Sequence, residues 1–324
     1  MEFLSDYGLF LAKTLTLVLA VGLLLVIIAS VSAKKRSPKG ELSVTDLGER
    51  LRQQSRRLKA ELLDKKGLKA LSKKEKKAAK EEDGSKPALF VLDFKGSMDA
   101  HEVDALREEI SAVVAVASKD DEVLVRLESP GGVVHGYGLA ASQLVRVKDA
   151  GIPLTVAVDK VAASGGYMMA CVADTIVAAP FAILGSIGVV AGIPNFHKFI
   201  KKHDIDYEQH TAGKFKRTLT VLGENTEEGR EKFVADLNTI HGHFRDHVGQ
   251  FRSQLNMDEV ATGEIWLGVD AAKRGLCDQL ATSDAYITAK LDSHRIIAVR
   301  YQLKRKLGEK VGMAARSLLT RLGI

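Results

Sequence analysis

An α/β fold with a parallel sheet is the architecture predicted for residues 88–300, and two observations predict it. Short apolar runs of strand length alternate with segments of helical periodicity, the pattern of repeated βαβ units. The chain of 324 residues is 46% hydrophobic, ample for a packed core. A breaker run, Asp83-Gly84-Ser85-Lys86-Pro87, marks where the folded part is expected to begin.

Upstream of that run the sequence has a different character. From Thr14 to Ala33 it is uncharged and almost wholly apolar, close to the ~20 residues a helix needs to cross a bilayer core. This predicts a membrane anchor over 1–36 with its span at 14–33. Glu2 and Asp6 stand where a cleaved signal peptide would carry a basic start, so the anchor is expected to stay on the chain. Lys34, Lys35, Arg36 and Lys39 follow the span while only Lys13 precedes it, and the positive-inside rule then keeps the bulk of the protein cytoplasmic. Residues 37–87 read as a basic, charged helical stalk, because Leu47, Leu51, Leu58 and Leu62 recur at near-helical spacing ahead of the lysine-dense run Lys73 to Lys80.

The domain elements then follow in order. Ala88 to Phe94 is a strand, and 99–118 a helix opened by Asp99 and Glu102 as a capping box. Next come a strand at 122–128, a helix at 134–149, a strand at 153–158 and a small-residue helix beginning at Ser164. A strand at 174–178, a long charged helix at 225–255 and a short helix at 270–274 stopped by Gly275 complete the set. Residues 176–196 lack charge for 21 positions, nominally enough for a second span. Pro180, Pro194, Gly185, Gly188 and Gly192 break that helix, so a buried strand and loop are expected there. Residues 301–324 are expected to form a basic amphipathic helix, fit to lie on a membrane surface or to pack on a neighbouring subunit.

The net charge of +6 is unevenly placed. Residues 34–80 hold 17 Lys and Arg against 6 Asp and Glu, a surplus of 11, which leaves the other 277 residues at −5. Basicity confined beside a membrane anchor argues against nucleic acid and for anionic lipid or a solvated helix face. The two cysteines, Cys171 and Cys277, have neither disulfide nor metal spacing and read as small buried hydrophobes.

Glu128-Ser129-Pro130-Gly131-Gly132 closes a strand and opens a helix, where glycines free the backbone to bend and turn N–H groups toward an anion or oxyanion. A purely steric use of glycine at a strand-to-helix turn fits the same residues. In Ala162-Ala163-Ser164-Gly165-Gly166-Tyr167, Ser164 lies between a strand and a helix, either as a nucleophile with the Gly165 N–H beside it or as a helix N-cap. No serine has a Gly-x-Ser-x-Gly elbow and no His-Glu-x-x-His occurs. His241, His243 and His247 do not share one helix face, so no metal is expected. His135, His210, Lys214 and Lys216 all stay open as bases for Ser164.

At these residues the sequence resembles the signal-peptide peptidase A family of Ser/Lys proteases. The resemblance rests on the N-terminal span, on Val91 to Met98, on Glu128 to Gly132, on Val161 to Tyr167 and on Leu184-Gly185-Ser186-Ile187-Gly188-Val189. It implies Ser164 as nucleophile, Lys216 as general base, Ser186 as the residue orienting the lysine amine, and the Gly131-Gly132 turn as the oxyanion hole, which the Gly165 N–H beside Ser164 could join. It also implies a ClpP/crotonase-like spiral of βαβ units, a fold that commonly assembles into rings, hence a homo-oligomer. Substrates would be peptides or proteins at a bacterial inner membrane, signal-peptide remnants among them, with no cofactor. The resemblance implies a periplasmic catalytic domain where the basic flank predicts a cytoplasmic one, so the side stays open. A lysine acts as a base only when neutral, and a free lysine titrates near ~10.4, so the role demands desolvation of the amine or like-charge repulsion, to which Lys214 and Arg217 could add. A crotonase-like acyl-CoA enzyme and an inactive membrane scaffold are the rival readings.

Overall fold

The computed structural model describes residues 6–18, 20, 21, 40–64, 66–70, 73 and 86–303. They divide into two compact units, Met1–Glu41 with Gln302–Ile324, and Leu42–Tyr301. In the first, residues 6–18, 20 and 21 are helical. Most of the expected span at 14–33, and residues 304–324 of the expected C-terminal helix, lie outside the described residues. Among the described residues no helix is long and apolar enough to cross a membrane.

The second unit is mixed α/β. The larger sheet contains β1 (Gly40–Asp46), β2 (Ala88–Lys95), β3 (Glu122–Glu128), β4 (Leu154–Val158), β6 (Thr175–Ala178), β9 (Gln279–Leu280) and β10 (Arg295–Leu303), in the order β1-β10-β2-β3-β4-β6-β9. Every pairing from β10 across to β9 is parallel, as the alternation of elements predicts. A smaller sheet has β7 (Ile183–Gly185) between β5 (Val161–Ala163), its parallel partner, and β8 (Ile265–Leu267), its antiparallel partner.

The two faces of the larger sheet are covered differently. Leu92, Phe94, Val123, Val125, Leu127 and Val156 pack with α2 (Val103–Val114), α3 (Val134–Asp149), α4 (Gly165–Ala170) and α6 (Glu227–Phe251) in the main core. Full burial of each Val or Leu stabilises by about 1.5–3 kcal/mol. On the opposite face Leu89, Val91, Leu124, Ala157 and Val177 meet Leu47 and Leu51 of α1 (Leu47–Leu62) and Ile287 of α9 (Ser283–Lys290). The remaining helices, α5 (His197–Lys202), α7 (Met257–Val260) and α8 (Gly268–Lys273), are short. In β2 the alternation of side chains sends Leu92 and Phe94 one way and Leu89 and Val91 the other, which is why both faces need cover.

Three local expectations change. Leu42 to Asp46, in the strand at the sheet edge, and α1, which packs on the sheet, fall in the unit Leu42–Tyr301, which takes in this part of the expected stalk. The helix expected from residue 99 starts at Val103 without a side-chain cap. Ser97 takes both partners of the expected capping box: its hydroxyl bonds Asp99 and Glu102 at 2.8 and 2.9 Å, and its N–H donates to Glu102 at 3.1 Å. Residues 301–303, placed in a helix by their amphipathic pattern, end β10.

Candidate active site

Three strands deliver the chemistry-bearing residues to one place at their carboxyl ends, where ligands of open α/β sheets bind. β3 runs out into Ser129-Pro130-Gly131-Gly132, β5 into Ser164 and β7 into Ser186. The Ser129 N–H donates to the Val161 carbonyl at 2.8 Å and the Ala163 N–H to the Ser129 carbonyl at 3.0 Å. The chain of β3 thus leaves the larger sheet and pairs with β5 of the smaller one. Ala163 is in register with Gly185 across β5 and β7, and the Ser164 N–H donates to the Gly185 carbonyl at 2.8 Å. Ser164 and Ser186 are therefore next-door residues at the ends of adjacent strands.

Both serines leave their strands with left-handed backbone, φ +52° at Ser164 and +51° at Ser186. A non-glycine residue held there costs about 1–3 kcal/mol, and such strain concentrates at functional sites. Ser164, with ψ −121°, opens α4 but makes no side-chain cap bond. The N-cap reading of Ser164 therefore fails, and its partly buried hydroxyl is left for other work.

The glycine turn lies directly against it. Gly131 has φ +92°, and a Cβ added there would fall 2.7 Å from both the Gly165 nitrogen and the Ser164 Cβ. A Cβ on Gly132 would fall 1.9 Å from the Met98 carbonyl oxygen, so neither glycine tolerates a side chain. The Gly131 N–H donates to the Ser129 hydroxyl at 3.1 Å. Gly132 and Gly165 make no backbone N–H hydrogen bond among the described residues. Of the three expected oxyanion donors, Gly131 is thus already engaged.

The expected base stands apart. Lys216 is exposed on a loop, with its N–H donating to the Gly213 carbonyl at 3.1 Å. Among the described residues its amine makes no hydrogen bond or ion pair with Ser164 or Ser186. No residue from 189 to 217 is buried, so the expected base lies on an exposed stretch of chain. The alternatives are occupied or exposed: Lys214 pairs with Glu228 at 2.5 Å, His210 with Glu208 at 3.4 Å, and His135 faces solvent. His241 and His247 bond the carbonyls of Ile187 and Met168. Among the described residues no cluster of His, Cys, Asp or Glu could hold a metal. Cys171 and Cys277 are free and buried.

A charged cleft of about 300 Å³ opens elsewhere, lined by Asp93, Arg126, Glu128, Lys160 and Arg300 among others. Its charges satisfy one another, Asp93 with Arg126 and Arg300, Glu128 with Lys95 and Lys160.

Sequence reasoning missed two residues of the site, Ser129 and Tyr137. The Tyr137 hydroxyl donates to the Ser97 carbonyl at 2.8 Å and sits 2.5 Å from the Ser129 hydroxyl. Its ring backs Gly165, where a Cβ would fall 2.4 Å from the Tyr137 Cγ. The only signal was the position of Ser129 inside the quoted turn; nothing marked Tyr137, a tyrosine among small residues on a helix.

Comparison with known proteins puts the chain among the proteases. Residues 2–144 match the description "Peptidase family S49 N-terminal", and residues 146–296 match "Peptidase family S49". The chain belongs to peptidase family S49. "Probable protease SohB" of Haemophilus influenzae is 49% identical, over 97% of this chain and 93% of its own length. The protein of the same description from Buchnera aphidicola subsp. Schlechtendalia chinensis is 47% identical, over 90% of this chain and 100% of its own. Among solved structures, a mutant of the 1510-N membrane-bound stomatin-specific protease in complex with a substrate peptide is similar with a TM-score of 0.42. It is 15% identical, over 70% of this chain and 96% of that one.

Proposed function

We propose that this protease is a membrane-anchored serine endopeptidase in which Ser164 attacks the peptide carbonyl and Lys216 accepts its proton. The observation that carries the reading is the left-handed backbone of Ser164 at the end of β5, with its hydroxyl uncapped and the Gly131-Gly132 turn against it. A serine is weakly nucleophilic until a neighbouring base takes its proton. Neutral Lys216 would take it, and Ser186, adjacent to Ser164 across the strand pair, would orient the amine. The carbonyl oxygen would gain charge facing the unengaged N–H groups of Gly132 and Gly165. The resulting ammonium would protonate the leaving amine, and water would then release the acyl group from Ser164 by the reverse sequence.

The exposure of Lys216 sets a condition on this scheme. A lysine serves as a base only when taken out of water, and peptide bound over this loop would supply that cover. The apolar run at 14–33 anchors the enzyme in a bacterial inner membrane, so its substrates are peptides or proteins at that membrane, signal-peptide remnants included. The joining of two sheets at Ser129 supports the ClpP/crotonase-like class and, with it, assembly into a homo-oligomer.

The test is cleavage of a broad peptide library by the detergent-solubilised protein, comparing wild type with Ser164→Ala, Lys216→Ala and Lys214→Ala. Loss of activity in the first two with retention in the third is expected. Activity surviving Lys216→Ala moves the base elsewhere, and activity surviving Ser164→Ala ends the serine reading.

A further inference from the structure

The Tyr137 hydroxyl has one proton, and it is given to the Ser97 carbonyl. At 2.5 Å from the Ser129 hydroxyl, its oxygen can therefore only accept, so Ser129 is the donor of that bond. The Ser129 oxygen in turn accepts the Gly131 N–H at 3.1 Å. The direction of the whole chain is fixed, Gly131 N–H to Ser129 O–H to Tyr137 O–H to the Ser97 carbonyl. Ser129 and Tyr137 are both fully buried, so no water competes for these bonds. Burial also pushes the Tyr137 phenol above its ordinary value.

The same tyrosine touches the other half of the site. Its ring is the surface against which Gly165 packs, and only a glycine fits there. One side chain thus bears on both candidate oxyanion donors, through its ring on Gly165 and through Ser129 on the Gly131-Gly132 turn. Engagement of the Gly131 N–H by Ser129 leaves the next N–H along the turn, that of Gly132, unengaged.

We propose that Tyr137 and Ser129 are positioning residues, whose hydroxyl chain holds the Gly131-Gly132 turn so that the Gly132 and Gly165 N–H groups converge on one oxyanion. This rests on the serine-peptidase reading. Neither hydroxyl touches the substrate, and their effect is felt where charge develops on the carbonyl oxygen, after the substrate has bound.

Tyr137→Phe tests it, since it keeps the ring behind Gly165 and removes only the hydroxyl; Ser129→Ala removes the next link and serves if the first variant folds poorly. Full removal of an oxyanion donor lowers kcat about 10²–10³-fold, so a displaced turn is expected to lower kcat about 10- to 100-fold with KM within about twofold. Affinity for a peptide aldehyde, which forms a tetrahedral adduct on the serine, should fall by the same factor. Binding of uncleaved peptide on a Ser164→Ala background should not change. Unchanged kcat and aldehyde affinity in Tyr137→Phe, with an active wild type, overturn the proposal alone. So does a loss expressed equally in KM and thermal stability, which is what a merely structural contact would give. A wild type that neither cleaves peptide nor binds the aldehyde removes the serine-peptidase reading and this proposal together.

Discussion

Glu109 offers a quantitative check on how the unit Leu42–Tyr301 is packed. It lies on α2, only 5% exposed, and its carboxylate accepts the Tyr301 N–H at 2.7 Å. Burial raises its pKa from 4.5 to about 7; the Tyr301 N–H pulls the other way, Asp93 raises it further and Arg300 lowers it. Because the folded pKa exceeds the unfolded one, the native state binds more protons between about pH 4.5 and 7, and stability falls as pH rises through that window. At ~1.4 kcal/mol per pH unit the difference amounts to about 3 kcal/mol, absent below pH 4.5 and fully present above pH 7. Glu109→Gln removes the titration and keeps a carbonyl oxygen for the Tyr301 N–H. The variant should gain up to about 3 kcal/mol at pH 8 and nothing near pH 4.5. The assay is urea unfolding of the detergent-solubilised protein at several pH values, read through Trp266, the single tryptophan. Other carboxylates titrate in both proteins, so the difference between them isolates Glu109. A difference that stays constant from pH 5 to 8 would refute the argument.

Gly165→Ala places a methyl 2.4 Å from the Tyr137 ring and should cost about 1–3 kcal/mol while abolishing cleavage; a variant melting like wild type would contradict that packing. Arg252, 3% exposed, holds both oxygens of Asp278 at 2.7 and 3.0 Å and the Gly275 carbonyl at 2.9 Å. Arg252→Ala should lose about 3 kcal/mol in urea unfolding, and a loss below about 1 kcal/mol would show the pair to be solvated. Burial pushes the Cys171 thiol far up and Cys277 to about 11, so iodoacetamide at pH 8 should label neither in the native protein and both in denaturant. Native labelling of Cys171 would contradict its burial.

The strands of the parallel sheet were legible because burial stamps them: Leu89, Val91, Leu92 and Phe94 leave no polar alternative for 88–94. Gly40–Asp46 was not, since an edge strand with no buried residue carries no such stamp and its neighbours suggested a charged helix. The false capping box shows a different failure. Asp99 and Glu102 have cap spacing, but Ser97 competes for both carboxylates at the exit of β2. At the site, Ser164 stood out because small residues flank it where a strand meets a helix. The hydroxyl contact between Ser129 and Tyr137 spans a turn and a helix, and no local pattern reports it. The choice of Lys216 came from family resemblance, and its exposure explains why no burial pattern singled it out.

The way β3 is shared between the two sheets sets how the site breathes. Its residues pair with β2 and β4 deep in the larger sheet, and the very next residue, Ser129, is locked to Val161 and Ala163. The segment carrying Ser164 can therefore open only when the central strand of the larger sheet does, and its amide protons should exchange at the slow rate set by global unfolding. Residues 189–217 have no buried member and belong to the opposite regime, exchanging through cheap local excursions. Ser164 is thus held by the cooperative core, while Lys216 sits on a part of the chain that can be reshaped without disturbing it.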